Sequence, residues 1–332
     1  MSLPPVEIPL GAMRFNSDSQ KLEYFNGQVW MQVHTFNPDL DGGGRACFAG
    51  NGPSPSDIID YITISNSGNA IDFGNLTGNW SYSRGVGGST RGLFGQNVAS
   101  SDTVEYITFS TTGNAIDFGN LTANSMSGAM TSSATRVVAW QGTNPSSNTI
   151  SYATIASTGN FVDFGDMVEG VRHTCGMSSP TRGFNVGGWK ANPGGNTNII
   201  QYVTTASLGN AMDFGDVTIK ESIRGNASFS SSTRGVYGGG IRHPSGQQNT
   251  IEYITMSSTG NGVDFGDVNY LNRQEGGGTS SCIKGIFAGG YSPAVNTISQ
   301  VAIPTTGDAV DFGDLTAARA AAAASNCHGG LG

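Results

Sequence analysis

Short runs in which apolar and polar residues alternate recur along almost the whole chain, separated by turns rich in glycine, asparagine and serine. Ile251-Glu252-Tyr253-Ile254-Thr255-Met256 is one such run, with the period-two pattern of a half-buried strand. It sits inside a longer unit. A segment that opens on a basic residue and ends in glycines comes first, as in Arg234 to Gly240 and Lys284 to Gly290. After the alternating run stands Thr-Gly-Asn or a close variant, such as Thr112-Gly113-Asn114 and Thr259-Gly260-Asn261. Glycine and asparagine tolerate positive φ, so a tight hairpin fits there. A final strand then carries the tripeptide Asp-Phe-Gly.

That tripeptide begins at Asp72, Asp117, Asp163, Asp213, Asp264 and Asp311, with gaps of 45, 46, 50, 51 and 47 residues. A period of this length marks a propeller or a solenoid. Each copy holds four extended segments, labelled a to d in chain order. Strand a is a run of small residues, as in Gly276 to Ser281 or Ala320 to Ala324. Consecutive alanines alone would read as helix, but the repeat register makes them a strand. Strand b opens on Arg45, Arg91, Arg136, Arg182, Arg234 or Lys284, strand c alternates, and strand d holds Asp-Phe-Gly. Four antiparallel strands per repeat is the unit of a propeller blade. The first repeat begins at strand b, and an extra strand a follows the last repeat near 318–326, where it can pair beside Ala46-Cys47-Phe48. The expectation is an all-β chain: a six-bladed β-propeller of four-stranded blades over 42–332, its ring closed by the C-terminal strand, preceded by a small N-terminal β-meander over 1–41.

Within that first segment, Gly11 to Asn16, Lys21 to Phe25 and Val29 to Val33 read as strands, with Ser17 to Gln20 and Asn26-Gly27 as turns. Such a meander is too small to be stable alone. It needs a surface to dock on, either the propeller, a sister subunit or a larger assembly. Asp39 to Gly44 reads as the linker.

Composition narrows the function. Of 332 residues 50 are glycine and only 12% are charged, which disfavours a helical bundle. There is no Gly-X-Y period, and recurring β-branched and aromatic residues argue against disorder. The net charge of -8 and the lack of any Lys/Arg run leave no electrostatic footprint for nucleic acid. No apolar stretch reaches the ~18 residues of a membrane helix, and Met1-Ser2-Leu3-Pro4-Pro5 does not open a signal peptide. The cysteines, Cys47, Cys175, Cys282 and Cys327, share no close spacing and read as thiols in or near strands.

Asp-Phe-Gly is also a kinase signature in which the aspartate holds magnesium. Here it occurs six times without a His-Arg-Asp loop, so the expected role is structural: Phe packs between blades, Gly relaxes the strand end, and Asp meets a repeated donor. The six basic openers recur in step with the six aspartates, and an ion pair repeated in each blade is the expectation. Exposed pairs of that kind contribute only ~0–1 kcal/mol each. The residue after each glycine is Asn75, Asn120, Asp166, Asp216, Asp267 or Asp314. A calcium site needs six to eight converging oxygens, so a solvated strand end is the plainer reading of this row.

The loops between strands b and c vary most. Seven residues past the opener stand Val98, Trp189, Ile241 and Tyr291. Lys190, Arg242 and His243 are their neighbours, and Trp80 and Tyr82 fall in a d–a connection on the same expected face. Exposed aromatics amid asparagine, serine and glycine suit sugar or protein recognition. Packing between neighbouring loops is the other reading of the same residues. Trp140, inside a strand b, reads as core.

The Gly-Gly ends of strand b (Gly187-Gly188, Gly239-Gly240, Gly289-Gly290) and the Asn-Thr-Ile start of strand c resemble kelch / galactose-oxidase-type propellers over about 290 residues. The tryptophan usual in strand d of that family is replaced by the Phe of Asp-Phe-Gly. The scattered histidines, His34, His173, His243 and His328, give no basis for carrying over copper chemistry. The Asp-Phe-Gly strand is similar to repeats in structural proteins of tailed phages, and Gly11-Ala-Met-Arg-Phe-Asn16 with Leu22-Glu23 and Trp30 resembles short modules of phage tail-fibre proteins. The resemblance implies a non-enzymatic virion protein of the tail, assembled in the host cytoplasm. It would attach to other virion proteins through the N-terminal module and to a host-surface glycan or protein through its loops. No cofactor, metal, nucleic acid or membrane insertion is expected, and self-association into a homo-oligomer fits a fibre. A glycan-cleaving tail enzyme and a capsid decoration or neck protein are the alternatives.

Overall fold

The computed structural model describes residues 8–331 apart from 17–20, 33–43, 51–54, 82, 97–100, 143–146, 191–193, 219–226, 243–245, 270–275 and 292. The chain divides into two compact units, Met1–Leu40 and Asp41–Gly332.

In the first unit, strands Met13–Asn16, Lys21–Phe25 and Trp30–Gln32 form one antiparallel sheet. The register pairs Met13 with Tyr24 and Tyr24 with Met31, and it pairs Arg14 with Glu23 and Glu23 with Gln32. Directly opposed residues share a face, so the two faces differ. On one, Arg14 lies 4.2 Å over the Trp30 ring and donates to Glu23 Oε2 at 2.9 Å, while Asn16 donates to Oε1 at 3.0 Å. These bonds, that from Asn16 first, hold the Glu23 carboxyl below its usual range. The other face consists of Met13, Phe15, Leu22, Tyr24 and Met31, all exposed.

Among the described residues, the second unit is all-β apart from one turn of 3₁₀-helix, Gly329–Leu331. Its described residues build six four-stranded antiparallel sheets. The first comprises Ala322–Ser325, Arg45–Ala49, Ser56–Thr63 and Ile71–Trp80, as strands a to d. The second comprises Arg84–Gly87, Arg91–Gly95, Thr103–Thr108 and Ile116–Asn120. Next are Ala129–Ser132, Arg136–Trp140, Thr149–Thr154 and Val162–Asp166, then Cys175–Ser178, Arg182–Val186, Ile199–Thr204 and Met212–Asp216. The fifth comprises Ala227–Ser230, Arg234–Gly238, Thr250–Thr255 and Val263–Asp267, and the sixth Gly277–Ser280, Lys284–Gly290, Val295–Ala302 and Val310–Asp314. In the first sheet, strand a comes from the far end of the unit: Ala322 pairs with Ala49 and Ser325 with Ala46.

Strand a of each sheet lies against strand a of the sheets before and after it, and that of the sixth lies against Ala322–Ser325. Small residues allow this approach. A Cβ on Gly85 would sit 2.6 Å from Ala323 O, and one on Gly176 would sit 2.6 Å from Met130 O. Serine ends most of these strands, and its hydroxyl stitches each to its neighbour. Ser132 donates to Gly87 O at 2.6 Å, Ser230 to Ser178 O at 2.6 Å, Ser280 to Ser230 O at 2.8 Å and Ser325 to Ser280 O at 2.7 Å.

At the other edge of each sheet the Asp-Phe-Gly strand is clasped to the following repeat. Its glycine has φ between +142° and +154° in all six copies and makes a bulge, as between Asp117 and Gly119. The main chain of the next hairpin then closes in. Gly113 N donates to Phe73 O at 2.8 Å and Ala115 N to Asn75 O at 2.8 Å, while Asn114 Oδ1 accepts from Asn75 N at 3.1 Å. A Cβ on Gly74 would lie 2.4 Å from Gly113 O, a separation no side chain survives. The pattern repeats through the chain. In the last copy Gly68 N donates to Phe312 O at 2.9 Å and Ala70 N to Asp314 O at 2.7 Å. The Asn and Asp row that follows each glycine therefore serves main-chain bonding.

The buried core lies between the sheets. Phe73 packs in one cluster with Phe94, Ile107 and Phe109 of the second sheet, while its ring meets Tyr61 of its own sheet edge-on at 5.8 Å. Trp140 is fully buried, and its indole N–H reaches Thr131 Oγ1 at 3.1 Å.

The expected ion pair between basic opener and Asp-Phe-Gly aspartate does not form. All six aspartates are exposed. The openers instead lie over the tyrosine of strand c in their own sheet: Arg45 over Tyr61 at 4.8 Å, Arg91 over Tyr106 at 4.5 Å, Arg136 over Tyr152 at 4.8 Å, Arg182 over Tyr202 at 4.8 Å and Arg234 over Tyr253 at 4.3 Å. In the sixth sheet, where Gln300 replaces the tyrosine, Lys284 lies 5.6 Å from the Phe312 ring. Each opener also donates to a carbonyl just past strand c of the following sheet, for example Arg182 to Met256 O at 2.8 Å and Arg234 to Ile303 O at 2.8 Å. An aromatic face and a carbonyl satisfy the guanidinium without desolvating a carboxylate, so the aspartate stays in water.

Candidate functional site

Among the described residues, two hairpins interrupt the repeated frame. The first, Trp189–Lys190 with Gly195–Asn196, lies between strands b and c of the fourth sheet. Gly187 and Gly188, with φ of +61° and +114°, turn the chain into it. It is tied to the segment before the sheet by Trp189 N donating to Arg172 O at 2.8 Å and Arg172 N to Trp189 O at 3.1 Å. The Arg172 guanidinium lies 4.4 Å over the indole. Glu169 braces the other side, accepting from Lys190 Nζ at 2.7 Å and from Thr197 Oγ1 at 2.9 Å. Burial works to raise the Glu169 pKa, and the bonds from Lys190 and Thr197 outweigh it, so the carboxyl titrates below its usual range. Trp189 and Lys190 are half-buried. The result is a half-buried indole braced by a guanidinium over its ring and by the Lys190–Glu169 ion pair beside it. Such a set can stack and hydrogen-bond.

The second hairpin, Ile241–Arg242 with Gly246–Gln247, takes the same place in the fifth sheet. The side chain of Arg242 is not described, and Tyr82 and His243 lie outside the described residues. Tyr291 is half-buried beyond the end of Lys284–Gly290. Trp80 corrects an expectation. It is only 6% exposed, because strand d of the first sheet runs on to it, Ser56 pairs opposite, and the ring joins the core with Ala49, Ile59 and Leu76. It presents no face to a ligand.

Sequence reasoning missed a buried polar position in strand c. Alternation assigns Glu252 outward, yet it is 6% exposed, and its counterparts Asp60, Glu105, Ser151, Gln201 and Ser299 are likewise buried. All but one meet a polar group near the start of the connection that leads into their sheet, and Ser151 accepts from Gln141 Nε2 at 2.7 Å, just past strand b of its own sheet. Thr77 N and Oγ1 donate to Glu105, and Thr218 N and Oγ1 donate to Glu252, which also accepts from Tyr237 OH at 2.6 Å. Burial, and then the Glu252 charge, raise the Tyr237 phenol pKa. Ser299 donates to Asn269 Oδ1 at 2.7 Å. In the first sheet Asp60 accepts from Thr316 and pairs with Arg319 at 2.7 Å, both members fully buried. The only sequence signal is that this strand position holds a polar residue in every copy while its partner lies more than one strand away.

Where the a strands converge, a cavity of about 40 Å³ is lined by Gly87, Ser178, Ser230, Ser280, Ser325 and His328 among others, too small for an organic ligand. His328 Nε2 donates to Gly87 O at 2.7 Å, and its Nδ1 accepts from Gly330 N at 3.1 Å. Burial lowers the His328 pKa and the bond to Gly87 O opposes it. Among the described residues, no group of three His, Cys, Asp or Glu side chains is placed to hold a metal ion.

Compared with known proteins, the chain matches no protein-family model and no curated protein.

Proposed function

We propose that the second unit is a six-bladed β-propeller closed by Ala322–Ser325, and that the chain is a non-enzymatic structural component of a tailed-phage virion, placed at the tail as a fibre, tip or baseplate-attached protein. The clasp from Phe312 and Asp314 back to Gly68 and Ala70 supports the ring, because it makes the sixth sheet the neighbour of the first. The cyclic succession of strands a supports it independently. A closed arrangement removes exposed sheet edges.

The observation that carries the functional reading is the contrast between frame and hairpin. The frame repeats six times, whereas the braced Trp189–Lys190 hairpin departs from it and offers an aromatic and charged surface of the kind that anchors a glycan or protein on a host surface. The exposed apolar face of the N-terminal sheet suits attachment to other virion proteins or to sister copies. The virion assignment itself rests on the likeness of the repeated strand and the N-terminal motif to phage structural proteins.

Cryo-electron microscopy of purified particles tests the location, with density for this chain expected at the tail. Density at the head or neck would overturn that placement. Trp189→Ala in the purified protein is expected to lower host-cell binding about tenfold or more, the scale of a binding hot spot, with unchanged thermal stability. Unchanged binding would remove the hairpin from the recognition surface. Cleavage of host polysaccharide that disappears in Glu169→Gln would overturn the non-enzymatic reading.

A further inference from the structure

We propose that Cys282 and Cys327 form an oxidation site, a cysteine pair poised to make a disulfide that staples the C-terminal strand of the first sheet to the sixth sheet. The two are 45 residues apart, one repeat period, and both stand two residues beyond the serine that ends strand a. Those strands are neighbours, joined by the Ser325 hydroxyl on Ser280 O at 2.7 Å. Cys282 Sγ donates to Cys327 O at 3.5 Å, and Cys327 Sγ approaches Ser280 O at 3.7 Å. Each thiol thus reaches across to the main chain that carries the other. A disulfide needs its two Cβ atoms within about 4.5 Å; a small shift of the turn can supply that approach from such contact, and rotation of χ1 turns the two sulfurs toward each other.

Accessibility makes the pair selective. Cys282 is exposed and Cys327 half-buried, whereas Cys47 and Cys175 are fully enclosed. Burial raises the pKa of both enclosed thiols, that of Cys175 to about 12, which withholds the thiolate that reacts. The oxidant class is a low-molecular-weight disulfide such as oxidised glutathione. The Cys282 thiolate attacks one sulfur of the reagent, whose S–S bond breaks and releases one glutathione thiolate. The Cys327 thiolate then attacks Cys282 Sγ, forming the protein disulfide and releasing the second glutathione. Two electrons pass from the protein to the reagent, and the two thiol protons end on the released glutathione or in solvent.

The test uses the whole chain, incubated with oxidised glutathione, denatured, alkylated and analysed by peptide mass spectrometry. The expected result is a Cys282–Cys327 linked peptide pair, with alkylatable thiols falling from four to the two enclosed ones. Cys282→Ser should leave Cys327 alkylated, and Cys327→Ser should stop at a glutathione adduct on Cys282. A stable glutathione adduct on Cys282 of the unaltered chain, with Cys327 still alkylated, overturns the proposal. So does a Cys282 link to a second copy. The unaltered chain decides the matter even where a serine variant fails to fold.

Discussion

Arg319 lies where the two ends of the second unit meet, and removing its side chain exposes what holds them. The guanidinium is fully buried against an equally buried Asp60 at 2.7 Å. It also donates to Gly50 O at 3.0 Å, Phe48 O at 3.2 Å and Ala317 O at 3.3 Å. Arg319→Met keeps much of the volume and leaves Asp60 a buried charge answered only by Thr316. Breaking one partner out of a buried pair costs about 3–5 kcal/mol. At roughly 2–4 °C per kcal/mol for a domain of this size, the melting temperature should fall by about 6–20 °C. Asp60→Asn should cost a similar amount, because it strands the guanidinium. The double variant should cost less than the sum of the two, by the coupling expected of residues in one network. Glu105→Gln is the internal control: Glu105 occupies the same strand position but faces only Thr77, so its loss should be smaller. Urea denaturation gives the energies, and hydrogen exchange locates the weakness, which should appear first in Ala322–Ser325 and Arg45–Ala49. If Arg319→Met lies within about 1 kcal/mol of the unaltered protein, the pair does not hold the seam and the reasoning fails.

Three further outcomes test the repeat chemistry. Gly215→Ala should be much worse than Gly209→Ala in thermal melts: both have φ near +150°, but a Cβ on Gly215 meets Gly260 O at 2.4 Å while one on Gly209 meets nothing within 4 Å. Backbone strain alone costs about 1–3 kcal/mol, so equal losses would show that the clasp is looser than described. Arg182→Ala should destabilise by about 1–2 kcal/mol through loss of the Tyr202 contact and the bond to Met256 O, and the loss should persist in high salt, whereas a loss abolished by salt would restore the surface ion pair. The His328 pKa is lowered by burial from its ordinary 6.5. The unfolded chain therefore binds a proton that the folded one refuses, and stability is full above pH 6.5 and falls as pH drops below it. Amide exchange of Gly329–Leu331 should quicken on acidification through that range, and a rate unchanged after correction for intrinsic exchange would show that His328 does not hold that turn.

Much of the architecture was legible because it rests on main-chain demands that only certain residues meet. The glycines of Asp-Phe-Gly and of Thr-Gly-Asn mark positions of positive φ and close backbone approach, so both the strands and the hairpins between them could be read directly. The Asp–Arg pair was misread because recurrence in step says that two residues share a repeat, not that they share a contact. The opener had a better partner in the strand c tyrosine, which the same alignment contained. Trp80 was misplaced because the first strand d is longer than its counterparts, an extension that no repeat predicts. Glu105 and Glu252 were hidden by the alternation rule, which assumes that each strand has a dry face and a wet face, whereas these sheets are covered on both. The Cys282–Cys327 approach was signalled by their spacing of one repeat period, though not by any local motif.

The buried polar row also answers a difficulty that repetition creates. Near-identical sheets invite a slip in which one repeat docks where another belongs. The clasp cannot prevent this, since its glycine and asparagine are nearly the same in every copy. The strand c position distinguishes some copies: Asp60 takes Thr316 and Arg319, Ser151 takes Gln141 and Ser299 takes Asn269, while Glu105 with Thr77 and Glu252 with Thr218 are alike. Docking the segment that carries Arg319 against Ser151 or Ser299 would bury a guanidinium without a carboxylate, a penalty of several kcal/mol. The clasp thus makes any two consecutive repeats neighbours, and the Asp60–Arg319 pair marks the junction between the sixth sheet and the first. Arg319, the one buried cation among the described residues, stands at the junction the chain must find without the help of continuity.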